Sequence, residues 1–152
     1  MASNNFARDV LATGAIATFT TTLAALGLSK AETGSTAAGL NATSHILWGE
    51  KAFHEDSFDW RYTALGAVLN AGAMASWATV QRLLFPRPRT LLGAACTGLA
   101  VSAIAYVVDY YVVPKRLTPG FEARLTRPGL FTLYGVLAGA LAAGARLAAR
   151  RT

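Results

Sequence analysis

Four stretches of this 152-residue chain are apolar over about the 20 residues that a helix needs to cross a bilayer. They run from 9 to 29, from 62 to 85, from 90 to 113 and from 129 to 149. A further stretch, 35–53, mixes polar and apolar positions and is too polar for a full span, so we expect a short, partly inserted helix there. The pattern predicts an all-α, integral membrane four-helix bundle with that short helix between spans one and two.

Composition strengthens the membrane assignment. Hydrophobic residues make up 53% of the chain and charged residues only 14%, whereas soluble proteins carry about 25% charged residues. The length suits one transmembrane domain covering residues 1–152. Cys96 stands alone in an apolar run, which excludes a disulfide framework, and we expect it to be a small core residue.

The net charge of +6 does not indicate nucleic acid, because the basic residues fall at the ends of the apolar stretches. We expect them to contact lipid headgroups of the bilayer. The residues in question are Arg82, Arg87, Arg89, Lys115 and Arg116. Lysines and arginines are equally numerous on the two sides of the predicted bundle, but the dense basic turn at 82–89 and the basic carboxyl tail favour cytoplasmic termini.

Two clusters of residues carry a family resemblance. One is Asn41-x-x-Ser44-His45-x-x-Trp48-Gly49, and the other is Asp109-Tyr110 followed by Pro114-x-Arg116-Leu117-x-Pro119-Gly120-Phe121-Glu122. Together they resemble an uncharacterised family of small bacterial four-span inner-membrane proteins. The resemblance implies a multi-pass protein of the bacterial inner membrane and supplies no substrate.

The first cluster is the strongest candidate for a site. If residues 41–52 are helical, Asn41, Ser44, His45 and Trp48 share one face. The loop that contains them lies on the same membrane side as the end of span three, where Asp109 needs a partner because an unpaired buried carboxylate is costly. The candidate ligand-binding residues are Asn41, Ser44, His45, Trp48, Asn70, Asp109 and Tyr110.

Two interpretations of this cluster stay open. In the first, His45 and Asp109 form an ionisable pair in a site that binds or passes a small polar solute or a cation. In the second, the polar residues only latch the short helix onto the bundle. The protein would then be an accessory or assembly protein that binds another membrane protein, or a second copy, through Gly135-x-x-x-Gly139.

Metal and enzyme chemistry are disfavoured. His45 and His54 are the weaker candidates for metal ligands, since they lie nine residues apart and form no helical ligand pair, and we expect neither a metal nor a cofactor. Ser44 and His45 are adjacent, so on a helix they point about 100° apart and cannot act together as nucleophile and base. A membrane-embedded enzyme is the third hypothesis, and we do not expect an enzyme.

Overall fold

The computed structural model describes the backbone of residues 2–150 and the side chains of residues 5–150. Over this part of the chain every regular element is helical, which confirms the all-α prediction. The α-helices are α1 (Ala2–Thr33), α2 (Ala38–Thr43), α3 (His45–Trp48), α4 (Leu65–Leu84), α5 (Leu91–Val107) and α6 (Arg127–Arg150). One π-helical turn, Trp60–Ala64, leads into α4, and another, Val108–Val112, extends α5.

Within the part of the chain that the structure describes, three helices are long and apolar enough to cross a membrane. They are Asn5–Thr33, Leu91–Val112 and Arg127–Arg150, which correspond to predicted spans one, three and four. The predicted second span forms α4, but α4 carries Asn70 and Arg82 and is not among the three. The structure therefore shows a helical protein with three candidate spans rather than four.

The long helices pack through small residues. α1 lies between α4 and α6, and α6 also packs along α5. A Cβ atom at Gly14 of α1 would approach the Cα atom of Ala75 to 3.3 Å, and Gly144 of α6 lies directly against Thr13. Large apolar side chains instead cover the outside of the bundle, as expected where lipid is the solvent. They include Leu11, Phe19, Leu23, Val68, Leu83, Leu91, Leu92, Leu99 and Phe131.

The two ends of the bundle hold different segments of the chain. We call the end that holds the start of α1, the 85–90 turn and the end of α6 the terminal end. The opposite end, which holds segments 34–64 and 113–126, is the loop end. At the terminal end Arg146 donates to the carbonyl of Arg89, which ties α6 to the turn.

The predicted helix over 35–53 is wrong in detail. The chain is α-helical over Ala38–Thr43, breaks at Ser44, resumes for one turn and then tightens into a 3₁₀ helix over Gly49–His54. Gly49 ends α3 with a φ of 69°, a backbone conformation that glycine adopts without a steric penalty. Residues 41–45 are all buried, so this segment has no exposed polar face opposite an apolar one.

Close packing explains why the segment is buried. α2 contacts both α1 and α4. Gly39 lies against the hydroxyl of Ser29 on α1, and Gly66 of α4 lies against the carbonyl of Leu40 with no room for a Cβ atom. The prediction for Cys96 is also wrong, because Cys96 is exposed on α5 while Ala94 and Gly98 face the bundle.

Candidate functional site

Asn41 is the centre of a structural latch at the loop end. Its side chain is fully buried, and its amide nitrogen donates to the carbonyls of Glu55 and Ser57, each at 2.9 Å. Its amide oxygen accepts a hydrogen bond of 2.6 Å from the hydroxyl of Thr63. These bonds bind α2 to the segment that leads into α4 and leave Asn41 little capacity for a ligand.

Ser44 and His45 are engaged by backbone groups. The Ser44 hydroxyl donates to the carbonyl of Asn41 at 2.6 Å. The two ring nitrogens of His45 lie 2.8 Å from the Ala42 carbonyl and 3.2 Å from the Lys115 carbonyl, and the Phe53 ring packs beside the imidazole. His45 therefore joins α2 and α3 to segment 113–126, and the two side chains form no nucleophile and base pair.

Trp48 does not share the position of the other candidates. Its side chain is exposed at the loop end, and its indole nitrogen donates to the carbonyl of Arg61 at 2.9 Å. The Arg61 guanidinium stacks on the indole, 4.3 Å from the ring centroid. Trp48 is thus held in a cation–π pair at the surface.

A cavity of about 130 Å³ lies inside the bundle below the latch. Its walls come from α1, α2, α3, α4, α6, the end of α5 and segment 113–126, and they are mainly apolar. The lining residues include Thr21, Thr43, Ile46, Leu69, Asn70, Ala73, Met74, Asp109, Leu117, Pro119, Phe121, Leu133, Tyr134 and Leu137. Ala73 and Leu117 are exposed at the rim, so the mouth opens between α4 and segment 113–126.

Asp109 supplies the one carboxyl group that lines this cavity. Its Oδ2 atom accepts a hydrogen bond of 2.6 Å from the hydroxyl of Tyr134 on α6. Among the described residues no arginine, lysine or histidine forms an ion pair with Asp109. Glu122, on segment 113–126, is close enough to interact with Asp109 electrostatically and adds further negative charge.

The other two predicted residues flank Asp109. Asn70 lines the cavity, and its amide nitrogen donates to the hydroxyls of Thr21 and Thr22 on α1, each at 3.2 Å. The hydroxyl of Tyr110 is buried, and its ring packs against Tyr134 with 5.9 Å between the centroids.

The structure does not form the expected pair of His45 and Asp109. His45 hydrogen-bonds to backbone carbonyls at the loop end and does not line the cavity. Asp109 instead hydrogen-bonds to Tyr134 at the cavity wall. The predicted site therefore divides into a latch, made by Asn41, Ser44 and His45, and a cavity lined by Asn70 and Asp109.

Two of the basic residues predicted to meet lipid headgroups, Arg82 and Arg87, have a protein partner. Arg82 and Arg87 reach Oδ2 of Asp9 at 3.3 and 2.6 Å, and Arg8 lies 3.8 Å from Oδ1. Asp9 itself is buried, so this cluster neutralises a carboxylate at the terminal end of the bundle.

The remaining basic candidates lie at the surface. Arg116 donates from Nε to the carbonyl of Ile46 at 3.0 Å, which adds a second tie between α3 and segment 113–126. Arg89 and Lys115 are exposed, and their contact with lipid remains an expectation.

The acidic residues near His54 are engaged within the protein. Glu55 accepts hydrogen bonds from the backbone and hydroxyl of Ser57, which lower the pKa of its carboxyl group below the usual value. Asp56 pairs with Arg124. Within residues 5–150, no three histidine, cysteine, aspartate or glutamate side chains come together as metal ligands.

Sequence reasoning missed two important residues, Asp9 and Tyr134. Asp9 carried a usable signal, because an acidic residue at the edge of an apolar span is a candidate for the same reason as Asp109. The sequence carried no such signal for Tyr134, since its role depends on the rotation of α6 toward the end of α5.

No family model, curated protein or solved structure matches this chain in comparisons with known proteins.

Proposed function

We propose that this protein is a membrane protein that binds a small molecule in the cavity beside Asp109. The observation that carries the proposal is a roomy, mainly apolar cavity with a carboxyl group that has no cationic partner among the described residues. Ligand sites commonly combine apolar walls with a few placed polar groups. An apolar cavity of about 150 Å³ takes up benzene, so this cavity suits a molecule of similar size.

Binding fits the geometry better than passage through one copy. Met74 and Leu137 close the cavity toward the terminal end, and both belong to a packed core that includes Val101 and Leu141. A route across the protein would have to displace this core. The interpretation as a solute or cation pathway is therefore less well supported than a binding site.

We also propose that α4 crosses the bilayer, which gives four spans. Its contacts follow α1 from Arg82 beside Asp9 to Asn70 beside Thr21, so α4 lies as deep as α1 does. A helix of 20 residues is about 30 Å long, which matches the hydrocarbon core. Asn70 and Gln81, which lower its hydropathy, are both buried inside the bundle.

Membrane topology tests the four-span arrangement. Four spans place both termini on one side. The motif resemblance supports the bacterial inner membrane, and the basic turn at 82–89 with the basic carboxyl tail supports termini in the cytoplasm. A Cys96→Ala chain with single cysteines added at each terminus and at Ser57 is labelled in intact cells with an impermeant maleimide. We expect only the Ser57 cysteine to react, whereas reaction of one terminus alone with the other protected would indicate three spans.

Ligand binding is tested on the purified protein in lipid nanodiscs. Saturation-transfer NMR with toluene and benzyl alcohol should show binding to the wild-type protein. Ala73→Trp, at the mouth, should abolish it, whereas Ser76→Trp, exposed on the same helix, should not. No binding to the wild type, or equal binding to both variants, would contradict the proposal.

A second candidate is assembly through α6. A Cβ atom at Gly135 or at Gly139 would meet nothing within 4 Å, whereas Gly98 and Gly144 pack inside the bundle. This open face favours close approach of a second copy. Oxidative cross-linking of Gly139→Cys in a Cys96→Ala background should give a dimer, and Gly72→Cys, also an open position but on α4, is the matched control.

A further inference from the structure

Asp109, which is partly buried, contrasts with Asp9, a buried carboxylate at the terminal end of the bundle. Asp9 is surrounded by Arg8, Arg82 and Arg87, so its charge is matched more than once within the chain. Asp109 has a single hydroxyl donor, Tyr134, and no guanidinium or ammonium partner among the described residues. The protein thus pairs the Asp9 carboxylate with its own arginines and leaves the Asp109 carboxyl group facing the cavity.

The surroundings of Asp109 increase this imbalance. Glu122 is close enough to repel it, and among the described residues the Glu122 carboxylate accepts a hydrogen bond from the neutral hydroxyl of Thr118, at 2.5 Å. Two basic residues of segment 113–126 are directed elsewhere, since Arg116 binds the Ile46 carbonyl and Arg124 binds Asp56, and the third, Lys115, is exposed. The electrostatic potential at this wall of the cavity therefore favours a positive charge.

The remainder of the cavity favours an apolar body. Leu69, Met74, Leu133 and Leu137 form the apolar walls, and the mouth lies between α4 and segment 113–126. A fully hydrated inorganic cation would meet mostly hydrocarbon there, and stripping its water would not be compensated by one carboxyl group. A molecule with an apolar ring and a single ammonium group satisfies both parts of the cavity.

We propose that the cavity between α4 and α6 binds a small organic cation, an amine with a benzene-sized apolar body, with its ammonium group paired to Asp109. This proposal rests on the proposed function, because it names the ligand class of the same cavity. The ammonium hydrogen-bonds to the carboxylate, and the ring lies along Leu69, Leu133 and Leu137. Entry is lateral, past Ala73 and Leu117.

Three probes of nearly the same shape separate the ligand class from cavity binding itself. They are benzylamine, which is cationic at pH 7, benzyl alcohol, which is neutral with one donor, and toluene. Dissociation constants are measured by NMR titration of the full chain in zwitterionic lipid nanodiscs. We expect benzylamine to bind about tenfold tighter than benzyl alcohol or more, because hydrogen bonds to charged groups are the stronger ones.

Variants then assign the preference to Asp109. Asp109→Asn should remove the preference for benzylamine and leave benzyl alcohol within about twofold, since only the charge is lost. Asp109→Glu keeps the charge and should retain the preference. Glu50→Gln, an exposed acid at the same end, controls for general attraction of cations and should change nothing.

The possible failures are distinguishable. Equal binding of benzylamine and benzyl alcohol to the wild type overturns the cationic class and leaves the proposed binding function standing. A benzylamine preference that survives in Asp109→Asn also overturns it. Absence of binding by all three probes overturns the proposed function as well. If Asp109→Asn fails to fold, the comparison of the two probes on the wild type still decides the class.

Discussion

Tyr134 donates a hydrogen bond of 2.6 Å to Asp109, and this bond joins α6 to the end of α5 at the wall of the cavity. The Tyr134 ring also packs edge-to-face on Tyr106, with 5.2 Å between the centroids. The carboxyl group that we propose to hold a ligand is therefore positioned by a residue on the neighbouring helix. Such a supporting hydrogen bond orients a functional group more tightly than its own rotamer preference does.

Tyr134→Phe should destabilise the protein by about 1–3 kcal/mol, because Asp109 would lose its hydroxyl donor in a mostly apolar environment. The free energy of unfolding in detergent, followed by circular dichroism against denaturant, measures the change. Tyr111→Phe is the matched control, since Tyr111 is 75% exposed. Equal stability of the two variants would show that the hydrogen bond does not support the wall.

Asn41→Ala should destabilise the loop end by about 1–3 kcal/mol, because it leaves the Thr63 hydroxyl and two carbonyls without their partner. Hydrogen exchange should rise over residues 55–63. Ser44→Ala is the comparison, since the Ser44 hydroxyl bonds only within its own turn and its removal should cost less. A larger effect of Ser44→Ala would contradict the latch.

His45→Ala should loosen segment 113–126, because His45 is the side chain that bonds to the Lys115 carbonyl from α3. We expect faster hydrogen exchange over 115–121, read by mass spectrometry, with little change in α1 or α6. His54→Ala supplies the control, since His54 is the other histidine and is exposed. Unchanged exchange in both variants would remove His45 from the latch.

Asp9→Ala should destabilise the terminal end by about 1–3 kcal/mol, since hydrogen bonds between charged groups are lost from Arg82 and Arg87. The 85–90 turn should become more accessible to a cysteine reagent at an introduced Pro86→Cys. Arg8→Gln, which removes the most distant and most exposed of the three guanidiniums, should have a much smaller effect. Similar losses for the two variants would contradict the assignment of Arg82 and Arg87 as the main partners of Asp9.

Much of the fold was predictable from the sequence. The apolar stretches predicted the long helices because a chain in lipid must satisfy its backbone hydrogen bonds within each segment, and three of them meet the length and apolarity of a span. The predicted bounds of the helices were less accurate. Predicted span one, 9–29, lies inside the longer helix Ala2–Thr33, and predicted helix 35–53 is broken at Ser44 and at Gly49.

The candidate site was only partly predictable. Asn70 and Asp109 were predicted as site residues because a polar side chain in an apolar helix is costly unless it has a partner or a function. Both line the cavity. Asn41 was selected by the same rule, yet its hydrogen bonds serve the latch. A sequence does not separate these cases, because both a latch and a binding site require buried polar groups.

By itself the sequence determined the helical class, the apolar outer surface and the short list of polar residues, since these follow from local hydropathy and from what a bilayer tolerates. Only the tertiary structure decided which side chains pair with one another. It paired Asp9 with Arg82 and Arg87, gave Asp109 to Tyr134 instead of His45, and left a cavity beside it. Those outcomes depend on how each helix is rotated against its neighbours, and close packing at small residues sets that rotation.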